Sequence, residues 1–330
     1  MKILAGDIGG TKTLLQVAEV QGTSIDVLLE ERFDSHAYDS FDALLQQFLT
    51  HAGEQQHQPA AACIGIAGPV NAGEARVTNL PWRMNAAQLQ QQSGIPHISF
   101  INDFQAVGYG IEALQDDDLA TLQAGEPVPH SVRCVIGAGT GLGEGMLIWQ
   151  DDHYEAYASE GGHVGFAPVD DVQLELLRFM RSRFDIVSYE RLVSGPGLGN
   201  IFDFICQHWN TPVCESLRHA LQQGDKAAAI AQAALSHSDE QAQRALEIFI
   251  SIYGAQAGNL ALTTMAHDGV YIAGGIAPKI LPALQQGDFM TAFSDKGKMQ
   301  HLMPSFPVKV ITNANVGIMG AALVASRYRE

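Results

Sequence analysis

Short apolar runs that end in glycine alternate along this chain with segments whose apolar residues recur every three or four positions. The first kind predicts strands near 2–6, 13–19 and 26–33, then at 61–67 and 97–101. Between them Phe41, Leu44, Leu45, Phe48 and Leu49 stand at i, i+3, i+4, i+7 and i+8, one face of a helix near 40–52. A second cycle begins at Val132–Ile136 and meets the glycine-rich run Gly137–Gly143. From about 172 to 267 helical patterns dominate, including one across 239–266 so broadly apolar that burial is expected. The strand Val270–Ala273 then meets Gly274-Gly275, and a strand near 308–312 leads to a closing helix near 316–328. Gly320, Ala321 and Ala322 on that helix allow close packing, back against the opening domain. The alternation predicts an α/β fold.

The 330 residues suffice for two domains of about 150 residues each. A net charge of −17 disfavours nucleic acid and anionic membranes, which would repel the chain. Phosphates would then have to be met by a divalent cation, backbone N–H groups and helix N-termini. Cys63, Cys134, Cys206 and Cys214 form no Cys-x-x-Cys pair, so no zinc is expected, and Cys63 and Cys134 sit in apolar runs as small buried residues. No signal-peptide pattern and no run of eighteen apolar residues is found, which makes the cytoplasm the default location.

The candidate chemistry lies where strands end. Gly6-Asp7-Ile8-Gly9-Gly10-Thr11 runs an apolar strand into an acid and two glycines, which can adopt positive φ and bring N–H groups close to an anion. Asp7 can orient hydrated magnesium, which prefers one or two carboxylates plus phosphate oxygens. The same residues read equally as a hairpin turn. A Walker loop is excluded, because Thr11 separates Gly10 from Lys12. Gly137-Ala138-Gly139-Thr140 fits no Gly-x-Gly-x-x-Gly register, but it too offers N–H groups at a strand end, or an ordinary glycine-rich hairpin. Asn102-Asp103 closes the strand Ile98–Ile101 and opens a helix, where either residue could serve as an N-cap. Glu160-Gly161-Gly162-His163 sets an acid and an imidazole around two glycines. Glu190, alone, reads as a surface helix residue.

Taken in order, these segments resemble the bacterial glucokinases of the hexokinase, actin and sugar-kinase superfamily. The resemblance runs through Ile66-Ala67-Gly68-Pro69-Val70, Thr78-Asn79 with Trp82, Ser194-Gly195-Pro196-Gly197-Leu198 and Ile272–Ile276 as well as the motifs above. It implies a two-lobed actin-like ATPase (ribonuclease H-like) fold with a helical layer in the larger lobe. The small domain would be 1–107 plus 312–330, and 108–311 would carry much of the ATP site. The implied reaction is transfer of the ATP γ-phosphoryl group to the 6-hydroxyl of D-glucose, with magnesium and with the lobes closing over the sugar. Asp103 would be the catalytic base, and Asn102, Glu160, His163 and Glu190 would join it on the sugar hydroxyls. Gly6, Asp7, Ile8, Gly9, Gly10, Thr11, Gly137, Ala138, Gly139 and Thr140 would face the phosphates, with Gly274 and Gly275 bordering the adenosine. A homodimer is expected, since dimers are common in that family. Lys12 departs from the Asn of the enterobacterial-type relatives and is an added candidate for phosphate contact. The rival readings are a kinase for mannose, fructose or N-acetylglucosamine, and a non-catalytic sugar-sensing regulator.

Overall fold

The structure is a computed structural model that describes residues 1–209 and 212–328. Its contacts divide the chain into two compact units, one of residues 1–118, 152–158 and 313–330, the other of 119–151 and 159–312.

The first unit is built on a five-stranded sheet in the order Ser24–Asp34, Lys12–Gln21, Lys2–Ile8, Ala61–Ile66, His97–Asn102. The period-2 alternation of the opening strand sends Leu4 and Ile8 to one face and Ile3 and Ala5 to the other, so each face needs a helical cover. Phe41, Leu44, Leu45 and Phe48 of the helix Phe41–Glu54 cover the first face, and Ser40 caps that helix by accepting the Ala43 N–H at 3.3 Å. Ile318, Ala321, Ala322 and Ala325 of the closing helix Val316–Ser326 cover the second.

That closing helix also presses on the helix Asp103–Gly110. A Cβ at Gly320 would lie 1.8 Å from the Ala106 carbonyl oxygen, and one at Gly110 would lie 1.9 Å from that of Val316. Backbone therefore meets backbone, and only glycine fits. The last three parallel strands of the sheet are in register, Ile8 beside Ile66 and Ile66 beside Asn102, so Asp7 and Asn102-Asp103 leave the same edge.

In the second unit the strands run in the order Leu142–Gln150, Arg133–Ala138, Val270–Ala273, Val308–Ile311, Leu119–Gln123. Arg133–Ala138, Val270–Ala273 and Val308–Ile311 are parallel, which brings both of the unit's glycine turns to one edge. The helices Asp171–Arg181, Gly195–Trp209, Glu215–Ala220, Lys226–Leu235 and Glu240–Thr264 fill the region that the helical patterns marked. The last of them has 25 residues and is buried along much of its length. Met265, in the left-handed conformation, ends it. Among the described residues no helix is long and apolar enough to cross a membrane.

Candidate functional site

The loop after the opening strand is a hairpin turn. Ile8 pairs with Thr13, and the Gly9 N–H donates to the Lys12 carbonyl at 2.9 Å. Neither Gly9 nor Gly10 takes a positive φ, contrary to the sequence expectation. Space is tight there instead: a Cβ at Gly10 would stand 3.1 Å from the Asn79 Cβ, and one at Gly9 would stand 3.3 Å from the Lys12 oxygen. Gly6 and Ile8 are strand residues. The Ile8 side chain is fully buried, and a Cβ at Gly6 would meet Ile64 at 2.7 Å.

Asp7 is half-buried at the sheet edge, and burial pushes its carboxyl up to about 6, with the charge of nearby Asp103 raising it further toward that value. Asp103 is likewise pushed up by burial, a shift opposed by the N–H of Phe104 and the Asn102 side chain. Two carboxyl groups thus lie near enough to interact in a partly desolvated place. Such a donor set suits a cation that keeps most of its waters, and magnesium is of that kind.

The helix cap proves to be Asn102 and not Asp103. Asn102 has extended backbone angles, its Oδ1 accepts the Phe104 N–H at 2.9 Å, and Gln105 accepts the Asn102 N–H in return at 3.3 Å. The Asn102 amide also donates to the Gly68 carbonyl at 3.4 Å. Asp103 stands at the first helical position. Its Oδ1 accepts the Phe104 N–H at 2.9 Å.

In the second unit Gly137 and Ala138 pair with Gly143 and Leu142, and the turn itself is Gly139-Thr140-Gly141. The Ala138 N–H donates to the Tyr253 hydroxyl at 3.2 Å, and its carbonyl accepts from Ile276 at 3.3 Å. Space around Gly139 is open, and its carbonyl accepts the Gly195 N–H at 2.8 Å. The N-terminus of the helix Gly195–Trp209 therefore adjoins the turn, with Ser194 Oγ accepting the Gly197 N–H at 3.0 Å. Ser194 and Gly195 were part of a motif without an assigned role, and their place beside Gly139 adds a positive helix end to the phosphate-facing candidates. Gly274 has φ +82°, and a Cβ there would lie 2.3 Å from the Ala138 oxygen, so the Gly274-Gly275 turn can run tightly against the neighbouring strand only as glycine.

The same unit brings Glu160, His163 and Glu190 together. His163 Nε2 lies 3.7 Å from Glu160 Oε2, and Nδ1 lies 3.8 Å from Glu190 Oε1. Glu160 is exposed; Glu190, in the single turn Tyr189–Arg191, is half-buried. Glu190 divides its labour: Oε2 accepts the Leu142 N–H at 3.0 Å, and Oε1 faces the imidazole. Gly161 and Gly162 are needed because their turn lies directly on the strand Leu142–Gln150. A Cβ at Gly162 would be 2.1 Å from the Leu142 carbonyl oxygen. Trp82, by contrast, is core: it is 2% exposed, and its Nε1 donates to the Tyr38 carbonyl.

A family profile described as Glucokinase matches residues 4–328. A glucokinase of Nostoc sp. is 44% identical over 98% of this chain and 99% of its own. That of Synechocystis sp. is 40% identical, with 99% of this chain and 98% of its own covered. Among solved structures, the glucokinase of an Antarctic psychrotroph matches with a TM-score of 0.88 at 28% identity over 99% of both chains. A ROK family glucokinase from Streptomyces griseus, solved with glucose and AMPPNP, matches with a TM-score of 0.66 at 20% identity over 99% of this chain and 100% of its own, a likeness of fold.

Proposed function

We propose that this chain, which belongs to the glucokinase family, uses Asp103 as the base that takes the proton of the glucose 6-hydroxyl as that oxygen attacks the γ-phosphorus of ATP. Its activity is that of the family, phosphorylation of glucose by an enzyme of actin-like ATPase fold. The observation that carries the assignment is the division of work at the strand end. Asn102 with Gln105 caps the helix, so Asp103 is not needed as the cap and stands as a carboxylate at a partly desolvated edge near Asp7.

Phosphoryl transfer passes through a loose transition state, so positioning and charge neutralisation supply most of the rate. Magnesium, held through water by Asp7, would draw negative charge from the phosphate oxygens. Backbone N–H groups of the Gly9-Gly10-Thr11 and Gly139-Thr140 turns, with the helix end at Gly195, would hold those oxygens without basic side chains. That arrangement would reconcile a chain of net charge −17 with a polyanionic substrate. Gly274 and Gly275 would border the adenosine.

Asp103 with Asn102, and the cluster of Glu160, His163 and Glu190, would meet the sugar hydroxyls. A site that hydrogen-bonds each hydroxyl rejects an epimer because a buried polar group then goes unpaired, at about 1–3 kcal/mol per group. Glu190→Gln tests this. Its amide oxygen can still accept from Leu142, but it turns an NH2 group toward the sugar. The preference for glucose over mannose in kcat/KM should fall by about 10- to 100-fold, read in a coupled assay over a panel of hexoses. An unchanged preference would remove Glu190 from sugar recognition.

A further inference from the structure

Glu144 is a buried carboxylate that phosphoryl transfer does not use. It points inward from the strand Leu142–Gln150 and is 3% exposed. Its Oε1 accepts from Gln256 Nε2 at 2.8 Å. The Gln256 Oε1 accepts from Asn259 Nδ2 at 3.2 Å, and the same amide donates to the Tyr189 hydroxyl at 3.3 Å. Gln256 and Asn259 are one turn apart on the long buried helix, and Tyr189 begins the turn that carries Glu190.

The other end of this chain of hydrogen bonds reaches the second sugar-facing turn. A Cβ at Gly161 would stand 2.2 Å from Glu144 Oε2, so the carboxylate lies directly beneath that glycine. Ser159 ties the same two places together: its hydroxyl donates to the Glu144 carbonyl at 3.2 Å and accepts the Gly161 N–H at 3.1 Å. Above, the turns are joined by backbone, with the Tyr189 N–H on the Val164 carbonyl at 3.1 Å. A carboxylate in this place is costly to bury, and a satisfied buried network rigidifies what it touches.

We propose that Glu144 is a positioning residue for hexose selection. It supports the Gly161 turn from below and links it through Gln256 and Asn259 to Tyr189, so that a buried polar chain sets the spacing of Glu160 and His163 relative to Glu190. This rests on the reading that those three side chains meet the sugar hydroxyls. Glu144 itself touches no substrate. It acts on recognition and leaves the phosphoryl-transfer groups, which the first unit and the glycine turns carry, as they are.

The test is steady-state kinetics of the full chain carrying Glu144→Ala, Glu144→Gln or Tyr189→Phe, with thermal unfolding measured on the same samples. Glu144→Ala should raise the KM for glucose about tenfold and shrink the preference for glucose over mannose by a similar factor, with kcat and the KM for MgATP changed by less than about twofold. Glu144→Gln keeps an acceptor for Gln256 and should recover most of the glucose KM. Tyr189→Phe, which removes the far end of the chain and serves if the alanine variant does not fold, should raise the glucose KM about threefold. A glucose KM unmoved in the folded variants would overturn the proposal. So would a parallel loss of kcat, MgATP affinity and thermal stability, the mark of a merely structural role. Glu190→Gln separates the two levels: if it too leaves glucose selection unchanged, the sugar-site reading has failed, whereas an effect of Glu190→Gln with a silent Glu144→Ala overturns the positioning role alone.

Discussion

Asp103→Asn is expected to lower kcat for glucose phosphorylation by about 10²–10⁴-fold, the usual contribution of a general base, while glucose binding stays within about threefold of its original strength. The substitution is nearly isosteric, and an amide oxygen can still accept the Phe104 N–H, so the start of the helix is undisturbed. Asn102 and Gln105 hold the cap independently of residue 103. What is lost is the capacity to take a proton. Burial raises the Asp103 pKa, which makes it a better base once ionised. A variant that retained its turnover would remove Asp103 from the chemistry. One that lost glucose binding in proportion would make it a ligand only.

Asp7→Asn should cost about 10²–10³-fold in the magnesium-dependent rate, because the amide can neither neutralise nor orient the hydrated cation as a carboxylate does. The wild-type protein supplies a pH signature for the same residue. Burial and the Asp103 charge lift the Asp7 carboxyl from 3.8 to about 6, so the folded state binds this proton more tightly than the unfolded chain. The group therefore costs no stability below its unfolded value, and without a cation stability falls as pH rises from about 4 through about 6. A divalent cation needs the ionised form and relieves that cost. Magnesium should raise the unfolding temperature little near about pH 5 and clearly near about pH 7.5, and the difference should vanish in Asp7→Asn. Equal stabilisation at both pH values, or its persistence in the variant, would place the cation elsewhere.

Much of this was legible in the hydrophobic pattern, because strands buried on both faces and the helices that cover them leave different periods. The helix near 40–52, the buried helix across 239–266 and the small residues of the closing helix all appear where the pattern put them. The closing helix stops at Ser326 and not at 328. Turn chemistry was less legible. A hairpin and an anion-facing loop share the composition Asp-x-Gly-Gly, and the glycines at 9 and 10 answer to Asn79 and Lys12, neighbours that local sequence does not reveal as contacts. Asn102 and Asp103 were interchangeable as caps by residue type. Gln105, three residues after Asn102, is the sequence signal that separates them. Glu144 was hidden differently: it stands in a glycine-rich run, and its hydrogen-bond partner Gln256 is 112 residues away.

A crystal structure of the enzyme with glucose and a non-hydrolysable ATP analogue would show whether the 6-hydroxyl lies on Asp103. The prediction is an O6-to-carboxylate distance of about 2.6–3.2 Å at Asp103, with Glu160, His163 and Glu190 on the other hydroxyls of that sugar. Glucose bound away from Asp103, or with a different hydroxyl turned toward it, would rule out Asp103 as the base.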